Sequence, residues 1–398
     1  MKDLKHLIYF ENLLESANNE LVQQAQKEGK LAMGYTCFHI PEVLLNVDNC
    51  FSVRLRAPNT NSVDIATYYM SNYTCEFARA LTERAIEGGY QFLDAMLGVD
   101  ACSMMNRAME HFELLQVNDK PKFFVTHTDM PYKVTDYTLD SYVKQMRLRV
   151  LDRMTEAYGV DTSDAAIRKA VEEHNEVCKI ISEIAALRKA DNPVITGYEF
   201  HIIVLVTYTC PKYLIIDKLR ETLEELKKRK PDAKPQFRAR VALIGSEIDD
   251  PSLTKLIESC GALIVSDRFC FGSVPGREVI ELNDTEDVLT QICRHYMEVA
   301  ECARYISDEK VKQRRDTSDR LAREYNADGI IYEQMKYCDY WGFERALATH
   351  VMSEEYGWPV LSIDRLYITG NSGQLRTRVQ AFVESLEIKR IHKEEGNN

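Results

Sequence analysis

Three cysteines stand where sulfur can do chemistry. Cys75 sits in Tyr73-Thr74-Cys75-Glu76-Phe77-Ala78-Arg79. Cys102 closes Gly98-Val99-Asp100-Ala101-Cys102, and Cys338 lies in Met335-Lys336-Tyr337-Cys338-Asp339. Each falls where a predicted strand or loop hands over to a helix. The free amides and dipole of a helix N-terminus favour a thiolate, and thiolate is the form that ligates iron. Three thiolates are one ligand short of a closed iron–sulfur site, which leaves a position open for chemistry. Cys37 is a further candidate ligand, because its loop also follows a predicted strand. It reads equally well as a packed thiol beside the site.

These residues are far apart in the chain, so the fold must bring them together. Residues from about 5 to 28 carry Leu7, Phe10, Leu13, Leu14, Ala17 and Leu21 at helical spacing. Strand-like runs follow at Lys30–Tyr35, Phe51–Arg56, Phe92–Met96 and Lys122–Thr126, with helical patterns between them. From about 136 to 230 the pattern is almost wholly helical. Its very apolar stretch Phe200–Val206 is too short to span a bilayer and reads as a buried helix. Strands return at Arg240–Ser246, Gly261–Asp267, Asp328–Tyr332 and Pro359–Asp364, and a helix over Gln374–Leu386 precedes a disordered polar tail. Strands alternating with helices indicate parallel, doubly wound sheets. The expected architecture is α/β: two Rossmann- or flavodoxin-like lobes, joined by a helical insertion. The divisions are an N-terminal helix at 1–29, a first lobe with Cys75 and Cys102 at 30–135, the insertion at 136–235, and a second lobe with Cys338 at 236–398. Ligands of open α/β sheets lie outside the carboxyl ends of the strands. A site shared by the three cysteines therefore belongs in the cleft between lobes.

The bulk properties narrow the choices. The chain has 398 residues and a net charge of -12, which disfavours a general nucleic-acid role. No apolar run is long enough to cross a membrane, and the start lacks the apolar segment of a secretory signal, so a cytoplasmic location is expected. Eleven cysteines without an export signal argue against a disulfide framework. Most are expected to pack as small hydrophobes; Cys178, Cys293 and Cys302 fit that reading because they lie in helix-patterned stretches. No dinucleotide fingerprint, P-loop, paired-histidine metal spacing or nucleophile elbow is present. Arg54, Arg56, Arg79 and Arg268 lie near predicted strand ends or helix starts, where solvated surface is the favoured reading.

At these residues the chain resembles the 2-hydroxyacyl-CoA dehydratase and benzoyl-CoA reductase family. The carriers are Cys37-Phe38-His39-Ile40-Pro41-Glu42, Cys75-Glu76-Phe77-Ala78-Arg79, Asp100-Ala101-Cys102, Met335-Lys336-Tyr337-Cys338-Asp339 and the ending from Gly373 to Phe382. The resemblance implies a [4Fe–4S] cluster on Cys75, Cys102 and Cys338. It also implies a homologous partner subunit in a heterodimer and an ATP-dependent iron–sulfur activator that injects one electron. The implied activity is that of a hydro-lyase subunit: water leaves a 2-hydroxyacyl-CoA through a ketyl radical to give an enoyl-CoA. Where a substrate-binding subunit of the family is expected to offer a serine, this chain has Phe38. With the Met335–Asp339 stretch and the Gln374–Phe382 ending, that points to the smaller, electron-relaying subunit. Two alternatives are a benzoyl-CoA-reductase-like subunit or homodimeric double-cubane cluster reductase, and a non-catalytic relay or assembly partner. Arg54, Arg56 and the pair Arg376 and Arg378 are left unassigned, with a helix surface facing the partner as the alternative.

Overall fold

The computed structural model describes residues 2–368 and 372–396. Eight strands form two sheets. The first contains β1 (Leu31–Tyr35), β2 (Cys50–Arg54), β3 (Ala95–Asp100) and β4 (Phe124–Asp129) in the order β2-β1-β3-β4. The second contains β5 (Ala239–Glu247), β6 (Ala262–Cys270), β7 (Gly329–Met335) and β8 (Val360–Arg365) in the order β6-β5-β7-β8. Every pairing is parallel. Both lobes therefore repeat one plan: the first strand is central, the second lies on one side, and the third and fourth lie on the other.

Parallel strands with helices on both faces are buried on both faces. In β5 the alternation is explicit. Ala239, Val241 and Leu243 enter one core with Val379, Val383 and Leu386 of the C-terminal helix, whereas Ala242 and Ile244 enter another with Ala322, Trp341 and Met352. The first sheet is covered likewise. Ala32, Phe51, Val53 and Met96 face a core shared with the helices Glu76–Ile86 and Gly197–Thr209, and Met33, Tyr35, Leu97 and Val99 face the helices from Asp136 to Tyr158.

The long helix Asp164–Ala186 serves both cores of the first lobe, Ile167 and Val171 in one and Val177 to Ile184 in the other. The helix Gly197–Thr209 is buried along nearly its whole length, as its uninterrupted apolar run requires.

One connection leaves its own sheet. After β6 the chain crosses onto the first lobe, where Ile280, Ile292, Cys293 and Tyr296 join the core beneath β1 and β3. Arg277 reaches Glu42, Asn175 exchanges hydrogen bonds with the backbone of Ile280 at 2.8 Å each way, and Arg304 Nη1 donates to Met130 O at 2.7 Å. Residues 271–305 thus form a strap from the second lobe over the first. Elsewhere Arg56 Nε donates to Asp249 O at 2.5 Å and the Tyr367 hydroxyl to Ala57 O at 3.1 Å, and both bonds join the lobes.

Two expected elements differ. The N-terminal helix is two helices, Leu7–Leu14 and Glu20–Lys27, because Asn19 takes an extended conformation and its side chain accepts from the amides of Leu21 and Val22. At the other end the helix Ser372–Gly396 runs well past Leu386, into the expected disordered tail. Glu387 extends the docking of that helix through an ion pair with Arg238 at 2.6 Å. Residues 397–398 of the tail lie outside the described residues.

Candidate functional site: a sulfur-lined cleft between the lobes

The carboxyl ends of both sheets meet in one crevice. Cys75, Cys102 and Cys338 each occupy the N-cap of a helix: Glu76–Ile86, Ser103–Leu114 and Asp339–Glu354. None of these helices has a side-chain cap bond, and the first amides lie close enough to lower the thiols against burial: Ala78 and Phe77 for Cys75, Met105 and Met104 for Cys102, and Trp341 for Cys338. Cys338 follows Tyr337, a non-glycine residue held at φ +68°, which turns the chain sharply off β7.

Burial pushes the Cys75 thiol up to about 12, and the nearby Cys102 sulfur adds to the shift. Cys102 is raised by burial, then by Cys37 and Asp339; Cys338 is raised well above the usual range by burial, then by Cys75 and Cys102. The three sulfurs predicted from sequence thus share one environment. Left to themselves they hold their protons, and a bound metal displaces them.

Among the described residues, no three His, Cys, Asp or Glu side chains close around a single ion position. A cluster asks for something different, since each thiolate takes its own iron. Three soft donors from three helix N-termini of the two lobes fit that group.

The crevice holds more sulfur than the sequence suggested. Cys37 follows β1, Cys270 ends β6, and Cys302 lies in the strap between the helices Val288–Glu298 and Asp308–Glu324. Burial pushes the Cys37 thiol up to about 11, with Cys302 contributing. Cys270 is raised well above the usual range by burial, then by Glu247, Cys302 and Cys37. Cys302 is raised by burial and by Cys102. Cys302 packs against the core beneath the first sheet, as expected, but from an irregular stretch rather than a helix, and near enough to Cys102 to be raised by it. Cys178 does pack in a core helix and Cys293 in the strap helix, as expected.

Two buried guanidiniums flank the sulfurs. Arg54 lies 3.8 Å from the Phe271 ring centroid and 5.0 Å from that of Tyr208, and its charge lowers the Cys37 and Cys270 thiols against their burial. Arg304, stacked 4.0 Å from the Tyr132 ring, does the same for Cys302. Arg56, Arg79 and Arg268 are also buried. The solvated role expected for these arginines fails for a common reason: each found backbone oxygens or a carboxylate inside. Arg79 Nε donates to Thr74 O at 3.3 Å, and Arg268 pairs with Glu301 at 2.8 Å.

The Cys37 loop is clamped from below. Glu42 is buried and pairs with Arg277 Nη1 at 2.8 Å, Lys212 Nζ at 3.2 Å and His174 Nδ1 at 3.3 Å, and accepts from the Tyr35 hydroxyl. The Tyr142 hydroxyl donates to His39 O at 2.6 Å. Phe38 turns away from hydrogen-bonding work and stacks on Tyr296, centroids 5.0 Å apart. On the opposite wall, Gly245 lets the Glu333 carboxylate lie against β5, where a Cβ would stand 2.7 Å from Oε2. Glu333 accepts from Ser246 N and Oγ at 3.0 and 2.9 Å and pairs with Arg365 Nε at 2.7 Å. Burial pushes Glu247, at the end of β5, up to about 8. The mouth is aromatic. Tyr73 meets Tyr337 edge-on at 5.8 Å, and the hydroxyls of Tyr132 and Tyr340 are 3.4 Å apart.

Fold and site together define a two-lobed α/β protein with partly buried cysteines gathered at the facing carboxyl ends of two parallel sheets. The chain belongs to the family described as 2-hydroxyglutaryl-CoA dehydratase, D-component, whose sequence profile matches residues 37–386. It is 25% identical over 378 residues to the (R)-phenyllactyl-CoA dehydratase beta subunit of Clostridium sporogenes, covering 95% of this chain and 97% of that one. It is 21% identical to the lactoyl-CoA dehydratase subunit beta of Anaerotignum propionicum, over 90% of this chain and 92% of the other. It is also 21% identical to a benzoyl-CoA reductase subunit of Thauera aromatica, over 80% and 81%. The family makes this chain a dehydratase-type component, and these relatives are named as subunits. No helix among the described residues is long and apolar enough to cross a membrane.

Proposed function

We propose that this chain is the iron–sulfur, electron-relaying component of a 2-hydroxyacyl-CoA dehydratase system, with Cys75, Cys102 and Cys338 holding a [4Fe–4S] cluster. The observation that carries this reading is the convergence of three capless helix N-termini, each ending in a cysteine, from both lobes on one crevice. When bound, the cluster supplies single electrons at low potential, which a CoA thioester needs to release its 2-hydroxyl as water. The chain's own residues keep water out, hold the thiols at fixed positions and offset negative charge with Arg54 and Arg304. Phe38 offers no hydrogen bond, so the substrate's thioester is assigned to a homologous partner subunit, and the first electron to an ATP-dependent activator.

A second reading has its own observation. Cys37, Cys270 and Cys302 form a further sulfur trio in the same crevice, in step with a double-cubane cluster and reductive chemistry. Iron and sulfide analysis of anaerobically purified protein separates the two. About four irons per chain support a single cluster and about eight the double one, while none in folded protein overturns both. Replacing Cys75, Cys102 or Cys338 by Ser is expected to abolish the cluster's EPR signal, and Cys178→Ser to leave it intact. Under the double reading, Cys270→Ser or Cys302→Ser halves the iron.

A further inference from the structure

A second cavity lies outside the cysteine crevice. It has a volume of about 650 Å³ and opens at the carboxyl ends of β7 and β8, between the helix Ser252–Ser259 and the start of the C-terminal helix. Open α/β sheets hold ligands at strand carboxyl ends, and this volume suits one nucleotide-sized molecule.

The lining has a distinct charge. Lys255, Lys336, Arg365, Arg376 and Arg378 surround the cavity, and Asp364 is the one acidic residue in its wall. This is a strongly basic patch on a chain of net charge -12. Many of the chain's other cations are held by carboxylates, as in Arg314–Glu344, Arg268–Glu301 and Arg238–Glu387. Among the described residues, Lys255, Lys336, Arg376 and Arg378 have no such partner. Their charges are positioned all the same. Arg376 Nη1 donates to Ser259 Oγ at 2.9 Å, Arg378 Nη2 donates to Ser362 O, and Arg365 is fixed between Glu333 and the backbone oxygen of Glu247. A guanidinium with one bond made keeps further donors for an oxyanion.

The rest of the wall is apolar. Leu253, Leu256, Leu366 and Leu375 offer a surface for a flat ring, and Ser252 and Gln374 offer polar edges. Cations without carboxylate partners, interleaved with leucines, match a molecule that carries both phosphate and an aromatic ring.

We propose that this cavity binds a nucleoside diphosphate group of the ADP type, independently of any cluster in the crevice. Two sources share that chemistry: a free adenine nucleotide, and the 3′-phospho-ADP head of coenzyme A. Lys336 precedes Cys338 by two residues, so the cavity and the cysteine turn share the carboxyl end of β7.

Isothermal titration of the full chain with ADP, coenzyme A and pyrophosphate tests the proposal. Saturable micromolar binding of a nucleotide is expected, tighter than that of pyrophosphate. Coenzyme A binding more tightly than ADP identifies the coenzyme head, and equal binding identifies the free nucleotide. Lys336→Glu and Arg376→Glu are each expected to weaken binding by about tenfold or more, since each removes a charged donor. Lys312→Glu, on another face, should change nothing. Cys338→Ser protein, without a cluster, should still bind, which separates this site from the cluster reading. Absence of saturable binding by either nucleotide overturns the proposal. So does pyrophosphate matching the nucleotides, or undiminished binding in variants whose circular dichroism shows them folded.

Discussion

At the scale of single residues, the crevice depends on charges that have no access to water. Glu42 is the clearest case, because one carboxylate answers Arg277, Lys212 and His174 and fixes the loop that carries Cys37. Removing one partner of a buried ion pair leaves the others unpaired. Glu42→Ala is therefore expected to cost about 3–5 kcal/mol in chemical denaturation, more than a solvated glutamate such as Glu156 would. The placement of Cys75, Cys102 and Cys338 at helix N-termini was readable in the sequence, because each stands directly before a helix. The sequence concealed Cys270 and Cys302. Cys270 lies three residues beyond the predicted end of its strand, and Cys302 lies in a connection without a repeating pattern. The arginines were misjudged for a related reason: a lone charge beside a strand end gives no sign of the backbone oxygens and rings that the fold will bring to it.

At the scale of elements, the alternation of strands and helices was readable throughout, and each predicted strand lies within a few residues of an observed one. The departures came from tertiary contacts. The strap from β6 to β7 reads as part of the second lobe, yet its apolar face was matched to the first, and no local signal distinguishes the two. Glu258 shows how one such contact ties elements together. Its carboxylate accepts from the amides of Gly197 and Tyr198 at 2.7 and 3.0 Å, capping the buried helix Gly197–Thr209, and from Ile264 N at 3.1 Å in β6. Burial pushes its acid up to about 7, against the pull of those amides. A group whose folded pKa is raised contributes stability that is full below its unfolded value, near 4.5, and lost as pH rises through about 7. Between pH 5 and pH 8, the protein is thus expected to lose stability relative to a Glu258→Gln variant, by up to about 3 kcal/mol. Urea denaturation of both proteins across that range measures it; parallel pH profiles would refute it.

At the scale of the whole molecule, several large apolar side chains are exposed on elements that follow the strand ends. Phe343 and Leu347 lie one turn apart on the helix that begins at Cys338, and Tyr73, Tyr132, Tyr137 and Ile306 are exposed as well. Such a surface marks an interaction site, and the relatives named as subunits give it a natural occupant, a second chain of this kind. Phe343→Asp is expected to shift the protein toward monomer, or to weaken capture of a co-expressed homologous subunit, as measured by sedimentation velocity. Unchanged association would place the interface elsewhere.

The strap has one more consequence. Two lobes joined by a simple linker can swing apart, as many two-lobed proteins do around their ligands. Here residues 271–305 reach from the second sheet across the first and are fastened by Arg277, Asn175 and Arg304. The sheets are buckled together, and parting them means breaking those contacts. A hinge between the lobes would have to part the buried Arg277–Glu42 pair, 2.8 Å apart, before it could open.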